Sequence, residues 1–305
     1  MYDLKLGKTD LVIPSVGVGC MRMANSNQEE AQKFIETAVD LGLNFFDHAD
    51  IYGGGMSEKI FSSAVAATNI KREDLILQSK CGIRKGCFDF SEQHILTSVD
   101  GILERLDTDY LDILLLHRPD TLFEPEEVAH AFEQLQKSGK VLHFGVSNQN
   151  PAQMALLQKY LKTPLVANQL QLSATNTGMF DAGFNVNMQV DAGIDRDNAV
   201  LEYCRLNEIT IQAWSPFQYG LFEGVFLENE KYPLLNEVLN RIASEKNVTN
   251  TAIAISWILR HPAKIQAVVG TMNPGRLKDI DKARNISLTR EQWYEIYLAA
   301  GNILP

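Results

Sequence analysis

Short apolar runs alternate with amphipathic segments along almost the whole chain. The runs cover residues 13–19, 44–46, 75–78, 111–116, 141–146, 165–167, 210–213 and 266–269. Most are rich in Val, Ile and Leu without strict alternation, which predicts strands buried on both faces. Between them, apolar residues recur at helical spacing. In 27–41, Ala31, Phe34, Ile35 and Ala38 share one face behind an acidic first turn. In 91–106 the same holds for Ile95, Val99, Ile102, Leu103 and Leu106, and 126–136 carries Val128, Phe132 and Leu135. Segment 151–161 opens on Pro151, a residue suited to a first helical position. Segments 197–207, 249–260 and 275–283 continue the pattern. Ahead of the first run, Gly7 and Lys8 suit the turn of a small hairpin within 1–11.

Eight strands, each followed by a helix, predict one α/β domain over 1–305: a single (β/α)8 TIM barrel with an N-terminal β-hairpin and a C-terminal helix. A doubly wound sheet is the alternative. Against it, Gly17, Gly19 and the Gly53-Gly54-Gly55 run do not satisfy GxGxxG spacing, and there is no Walker A loop.

Composition narrows the function classes. The chain has 28 Lys plus Arg and 38 Asp plus Glu, a net charge of −10. That field argues against binding nucleic acid or an anionic membrane surface, though not against a local phosphate site. Cys20, Cys81, Cys87 and Cys204 lack the spacing of a disulfide framework or a zinc site, so no metal is expected. The N-terminus lacks a basic start followed by an apolar core, and no stretch is apolar for the length of a membrane span. The expectation is a cytoplasmic protein.

In a barrel, polar residues at the C-terminal strand ends face the active site. Here the second strand ends in Asp47 with Tyr52 just beyond, the third runs into Lys80, and the fourth ends in His117. Together they suit carbonyl reduction. A phenol with an ordinary pKa of about 10 is too weak an acid near neutrality, and a nearby ammonium lowers it. Lys80 supplies that charge, Asp47 keeps Lys80 protonated, and His117 orients the carbonyl. None of these groups can deliver a hydride, so a redox cofactor must enter.

The segments FFDHADIYGGGMSE (45–58), LLLHRPD (114–120), GVSN (145–148), NQLQ (168–171), AWSPF (213–217) and VVGTMNPGRL (268–277), with Lys80 after its strand, resemble the aldo-keto reductases. GVGCMRM, NQLQLS and QWYEIYLAAG are most similar to a bacterial oxidoreductase subgroup of that family. The resemblance implies an NADP(H)-dependent oxidoreductase that reduces a small aldehyde or ketone. Tyr52 would be the general acid, assisted by Lys80 and Asp47, with His117 binding the carbonyl. Ser147, Asn148 and Gln169 would hold the nicotinamide carboxamide, with Trp214 stacked on the ring. Arg276 would meet the 2′-phosphate, although Met272 and Asn273 stand where a second basic residue is often found. Met21, Arg22, Asp47, Ser215, Pro216, Gly220, Gly270, Thr271 and Asp279 would complete the cofactor shell.

Loops 171–195 and 218–233 are long enough for pocket walls or lids. Phe180, Phe184, Tyr219 and Phe222 suit either a pocket lining or surface cover, and Met21 and Met23 follow the first strand. Two other functions compete with reduction. One is a nucleotide-binding regulatory barrel with little turnover. The other is a Schiff-base aldolase at Lys80, which requires a lowered lysine pKa.

Overall fold

The apolar runs become the strands of one closed parallel barrel. In the computed structural model, which describes residues 3–305, β1 is Val16–Gly19, β2 Phe45–Asp47, β3 Ile76–Cys81 and β4 Leu111–Leu116. The circle continues with β5 Val141–Ser147, β6 Ala167–Gln171, β7 Thr210–Trp214 and β8 Gln266–Val269. Neighbours in chain order pair in parallel, and Val268 of β8 lies opposite Gly17 of β1, so closure leaves this sheet without an edge. The TIM-barrel expectation holds.

The crossover helices are α1 Gln28–Asp40, α2 Met56–Ala66, α3 Glu92–Leu106, α4 Pro125–Lys137, α5 Pro151–Gln158, α6 Val200–Asn207, α7 Asn250–Leu259 and α8 Pro274–Asp281. Their faces follow the periodicity: α1 buries Ala31, Phe34, Ile35 and Ala38, and α3 buries Ile95, Val99, Ile102, Leu103 and Leu106. Asn27 and Asn150 cap α1 and α5 through capping boxes with Glu30 and Gln153. The C-terminal helix is Arg290–Ala299. No described helix is long and apolar enough to cross a membrane.

Three assignments change. The run 13–19 is divided: Val12–Pro14 pairs antiparallel with Asp3–Lys5, and only Val16–Gly19 enters the barrel. Pro14 has no N–H to give a barrel ladder, and it sits at the end of the hairpin instead. The hairpin therefore extends past residue 11, while Met1 and Tyr2 lie outside the described residues. Helix α2 has no counterpart among the segments read from periodicity, because its Glu58 is buried and breaks the apolar pattern. Helices Gly178–Phe184 and Pro233–Lys246 also occupy stretches taken for loop or left unassigned.

The hairpin places Leu4, Leu6 and Ile13 against Phe45, Ile76, Ile113 and Leu115, closing the N-terminal end of the barrel with an apolar plug. Truncating such a residue to Ala costs roughly 2–5 kcal/mol. The opposite, C-terminal end is left open for chemistry.

Candidate active site

Four side chains meet where the strands end. Lys80, on β3, is wholly buried and Asp47, at the end of β2, is 3% exposed. The Lys80 ammonium donates to both Asp47 carboxylate oxygens at 2.7 Å, to the His48 carbonyl at 2.8 Å and to the Tyr52 hydroxyl at 3.3 Å. Tyr52 opens the turn after β2, where Gly53 and Gly54 adopt left-handed φ of 59° and 63°. A β-carbon on Gly53 would also run into Ala24, so glycine is needed to bring Tyr52 over the barrel. The His117 ring stands edge-on to Tyr52 with centroids 6.0 Å apart.

The charges follow from burial and neighbours. Burial lowers Lys80 most, but Asp47 and Tyr52 outweigh it and hold the ammonium above its ordinary 10.5. A Schiff-base nucleophile needs the opposite shift. For Tyr52 the expectation is corrected: burial raises the phenol, Asp47 adds to this, and the pull of Lys80 does not bring it below 10. Burial costs the Tyr52 phenolate more than one ammonium at 3.3 Å returns, so Tyr52 is held as the protonated acid. His117 is pushed down to about 2 by burial, helped by Lys80 and Arg118, so its imidazole is neutral, with Nδ1 buried and without a partner among the described residues. Burial and Lys80 likewise lower His48 to about 3, and its ring packs edge-on to Phe61 at 4.6 Å.

Tyr52, Asp47 and His117 line a cavity of about 490 Å³. Of the expected cofactor residues, Met21, Arg22, Ser147, Asn148, Gln169, Trp214, Ser215, Pro216 and Gly270 line it too, and Lys80 lies beneath. Gly220, Thr271, Arg276 and Asp279 stand outside this lining. The Gly220 carbonyl accepts from Gln171 at 2.6 Å, Thr271 Oγ1 accepts from the Asn273 N–H, and Asp279 pairs with Lys282 at 2.9 Å. Arg276 is exposed in the first turn of α8, where Asn273 caps its N–H, and its guanidinium has no partner among the described residues. Phe222 lines the cavity, but Phe180 and Phe184 do not. They pack against Trp293 as cover for the helix layer, while Tyr219 packs on Tyr232 and Met23 is fully buried.

These residues fit a reduced nicotinamide nucleotide. Trp214 donates through Nε1 to Asn148 Oδ1 at 3.1 Å, Asn148 donates to Ser147 Oγ at 2.8 Å, and Ser147 donates to the Gln169 carbonyl at 2.9 Å. This chain fixes the indole at the mouth. Gln169 gives its amide N–H groups to Asp47 and Gln212, and its side-chain oxygen accepts nothing among the described residues. A free acceptor beside a fixed aromatic ring suits a carboxamide. Near the far end, Arg22 donates to the Gly270 carbonyl at 2.9 Å, and the free Arg276 guanidinium beside a helix start suits a phosphate.

Two features escaped the reading of single strand ends. Arg118, next to His117, lines the cavity with its guanidinium 5.6 Å above the Trp214 ring and forms no ion pair among the described residues. Beneath these four side chains, Gln78, Gln212 and Gln266 are fully buried inside the barrel. Their signal was a glutamine inside each apolar run.

Comparison with known proteins places this geometry among relatives. Residues 15–299 match the Aldo/keto reductase family. The chain is 35% identical to a 6-dehydroglucose reductase of Agrobacterium fabrum, over 91% of this chain and 90% of the relative. It is 34% identical to oxidoreductase YdhF of Escherichia coli, over 93% and 92%. The crystal structure of a thermostable aldo-keto reductase, Tm1743, with the inhibitor epalrestat superposes with a TM-score of 0.79 at 26% identity, covering 98% of this chain and all of that one.

Proposed function

Because the chain belongs to the aldo/keto reductase family of oxidoreductases, we propose that it reduces aldehydes or ketones to alcohols with NADPH, using Tyr52 as proton donor. The observation that carries this reading is the contact of Lys80 with both Asp47 and Tyr52 beneath a cavity. Reduced nicotinamide, when bound, supplies the hydride.

The protein's own residues do the rest. Neutral His117 donates its Nε2–H to the carbonyl oxygen and fixes the carbon it is bonded to. As the carbonyl carbon gains its new C–H bond, negative charge collects on that oxygen. Tyr52 gives its proton there, the C–O bond becomes that of an alcohol, and Lys80 holds the phenolate left behind. Asp47 keeps the Lys80 ammonium charged and aimed.

Ile51, Ile83 and Phe222 give the cavity apolar walls, and Arg118 adds one unpaired set of N–H donors. That mixture supports a carbonyl substrate bearing oxygen groups that Arg118 can bind. The name of the Agrobacterium relative, a reductase of 6-dehydroglucose, points the same way. Tyr52→Phe tests the reading: NADPH affinity stays within about twofold, and reduction falls by roughly 10²–10⁴. Turnover like that of the wild type in this variant would remove Tyr52 as the donor.

A further inference from the structure

The interior of a (β/α)8 barrel is ordinarily filled with branched aliphatic side chains. Here four glutamines occupy it: Gln78 on β3, Gln169 on β6, Gln212 on β7 and Gln266 on β8. Gln169 is 3% exposed and the others not at all. In strand register Gln78 stands beside Asp47, Gln212 beside Gln169, and Gln266 beside Gln212. Strands β3 and β7 lie on opposite sides of the closed circle, so the Gln78–Gln212 contact spans the barrel.

The hydrogen bonds run outward from a reciprocal Gln78–Gln212 amide pair to an acceptor at each end. At the lower end, Gln266 Nε2 donates to the Pro14 carbonyl at 2.9 Å, which leaves Gln266 Oε1 to accept from Gln212 Nε2 at 2.9 Å. Gln212 Nε2 also donates to Gln78 Oε1 at 3.1 Å. Gln212 Oε1 accepts from Gln78 Nε2 at 3.0 Å and from Gln169 Nε2 at 3.2 Å. At the upper end, Gln78 Nε2 and Gln169 Nε2 donate to Asp47 Oδ1 at 2.6 and 3.1 Å. Because the Pro14 carbonyl and the Asp47 carboxylate can only accept, reversing one amide would set acceptors against each other and break the ladder. With both its N–H groups given to Asp47 and Gln212, Gln169 has its side-chain oxygen left for the cavity. Gly17 makes room: a β-carbon there would come within 3.3 Å of Gln266 Nε2 and 2.9 Å of the Phe45 ring.

We propose that Gln78, Gln212 and Gln266 are positioning residues that orient the Asp47 carboxylate and the Gln169 amide, and through them set how readily Tyr52 releases its proton. This rests on the reading of Tyr52 as proton donor. A layer of four buried amides is costly unless every group is satisfied, and aliphatic side chains would fill the same space without that requirement. What the amides add is two donors on the one carboxylate that holds Lys80. The groups facing Tyr52 are Lys80, Asp47, Cys20, His117 and Arg118, and of these only Asp47 is bonded to the ladder. Removing the Gln78 donor leaves the Asp47 charge less screened, which disfavours the Tyr52 phenolate.

The test places fluorotyrosine at position 52 and follows its titration by fluorine NMR in the cofactor-free protein. In Gln78→Met the midpoint rises by about half a pH unit or more. In Gln266→Met, which reaches Asp47 only through Gln212 and then Gln78 or Gln169, it rises by less. Val99→Ala, a core truncation in α3 away from the ladder, lowers Tm and leaves the midpoint in place. An unmoved midpoint in Gln78→Met, or an equal movement in Val99→Ala, overturns the proposal and makes the ladder core packing only. Should Gln78→Met fail to fold, an unmoved midpoint in Gln266→Met overturns it equally. The titration needs no turnover, so absence of carbonyl reduction by the wild type would contradict the reductase reading separately.

Discussion

Replacing Lys80 with Met removes one charge from the centre of the site and leaves a side chain of similar reach. The Lys80 ammonium lies 3.3 Å from the Tyr52 hydroxyl. At an effective dielectric of about 20, unit charges at that separation attract by about 5 kcal/mol, between three and four powers of ten in phenolate stability. Only part of that charge has formed in the transition state, so reduction is expected to fall by roughly 10²- to 10³-fold. The fold suffers as well. Asp47 loses both 2.7 Å bonds from Lys80 and keeps only its two glutamine donors. Removing one partner of a buried ion pair costs about 3–5 kcal/mol. Single-turnover oxidation of bound NADPH by a saturating aldehyde, read beside a thermal melt and a cofactor titration, separates the two effects. A folded Lys80→Met protein that binds NADPH and reduces within about tenfold of the wild-type rate would refute the electrostatic role of Lys80.

Three further outcomes follow from the same geometry. Arg276→Ala should weaken NADPH by about ten- to a hundredfold and NADH little, by fluorescence titration, since the guanidinium has no protein partner to retain it; equal losses would remove it as the 2′-phosphate contact. Asp50, raised from 3.8 to about 7 by burial and then by Glu58, contributes stability that is complete below 3.8 and lost as pH rises through about 7. In Asp50→Asn that decline, on the order of 2–4 kcal/mol, should disappear from denaturant melts taken across this range, and a wild-type-like decline would show that another group causes it. Finally, His117 at about 2 and Tyr52 above 10 predict a reduction rate level across about pH 5 to 8 and falling only on the alkaline side. A limb near 6.5 that vanished in His117→Gln would show a titrating His117 instead.

The barrel was legible because strands buried on both faces read as unbroken apolar runs, and their ends announced Asp47, Lys80 and His117 directly. Helix α2 was hidden: it follows three glycines and buries Ser57 and Glu58, with Glu58 bonded to Ser79 and Arg105. Periodicity counts such positions as polar, although the fold treats them as core. Within Pro233–Lys246, Leu235, Leu239, Ile242 and Ala243 recur at helical spacing, but the stretch after the 218–233 loop was left unassigned. For Phe180 and Phe184 the residue type alone left pocket and packing open, and Trp293 decides between them. The glutamine ladder was spelled out in three runs and just beyond a fourth, but seeing it required knowing which strands face each other across the barrel. Charge balance at Tyr52 was not readable either, because burial, which outweighs Lys80 there, depends on every surrounding element.

In the proposed reaction a hydride and the Tyr52 proton are delivered to one carbonyl in this cavity. The most direct measurement supplies NADPH deuterated on the transferring carbon with a panel of aldehydes, including hydroxylated ones, and examines the alcohols by mass spectrometry. One deuterium per alcohol is expected, on the former carbonyl carbon, with formation lowered roughly 10²- to 10⁴-fold in Tyr52→Phe. Alcohol without deuterium, or no alcohol from any aldehyde while NADPH is firmly bound, would contradict it.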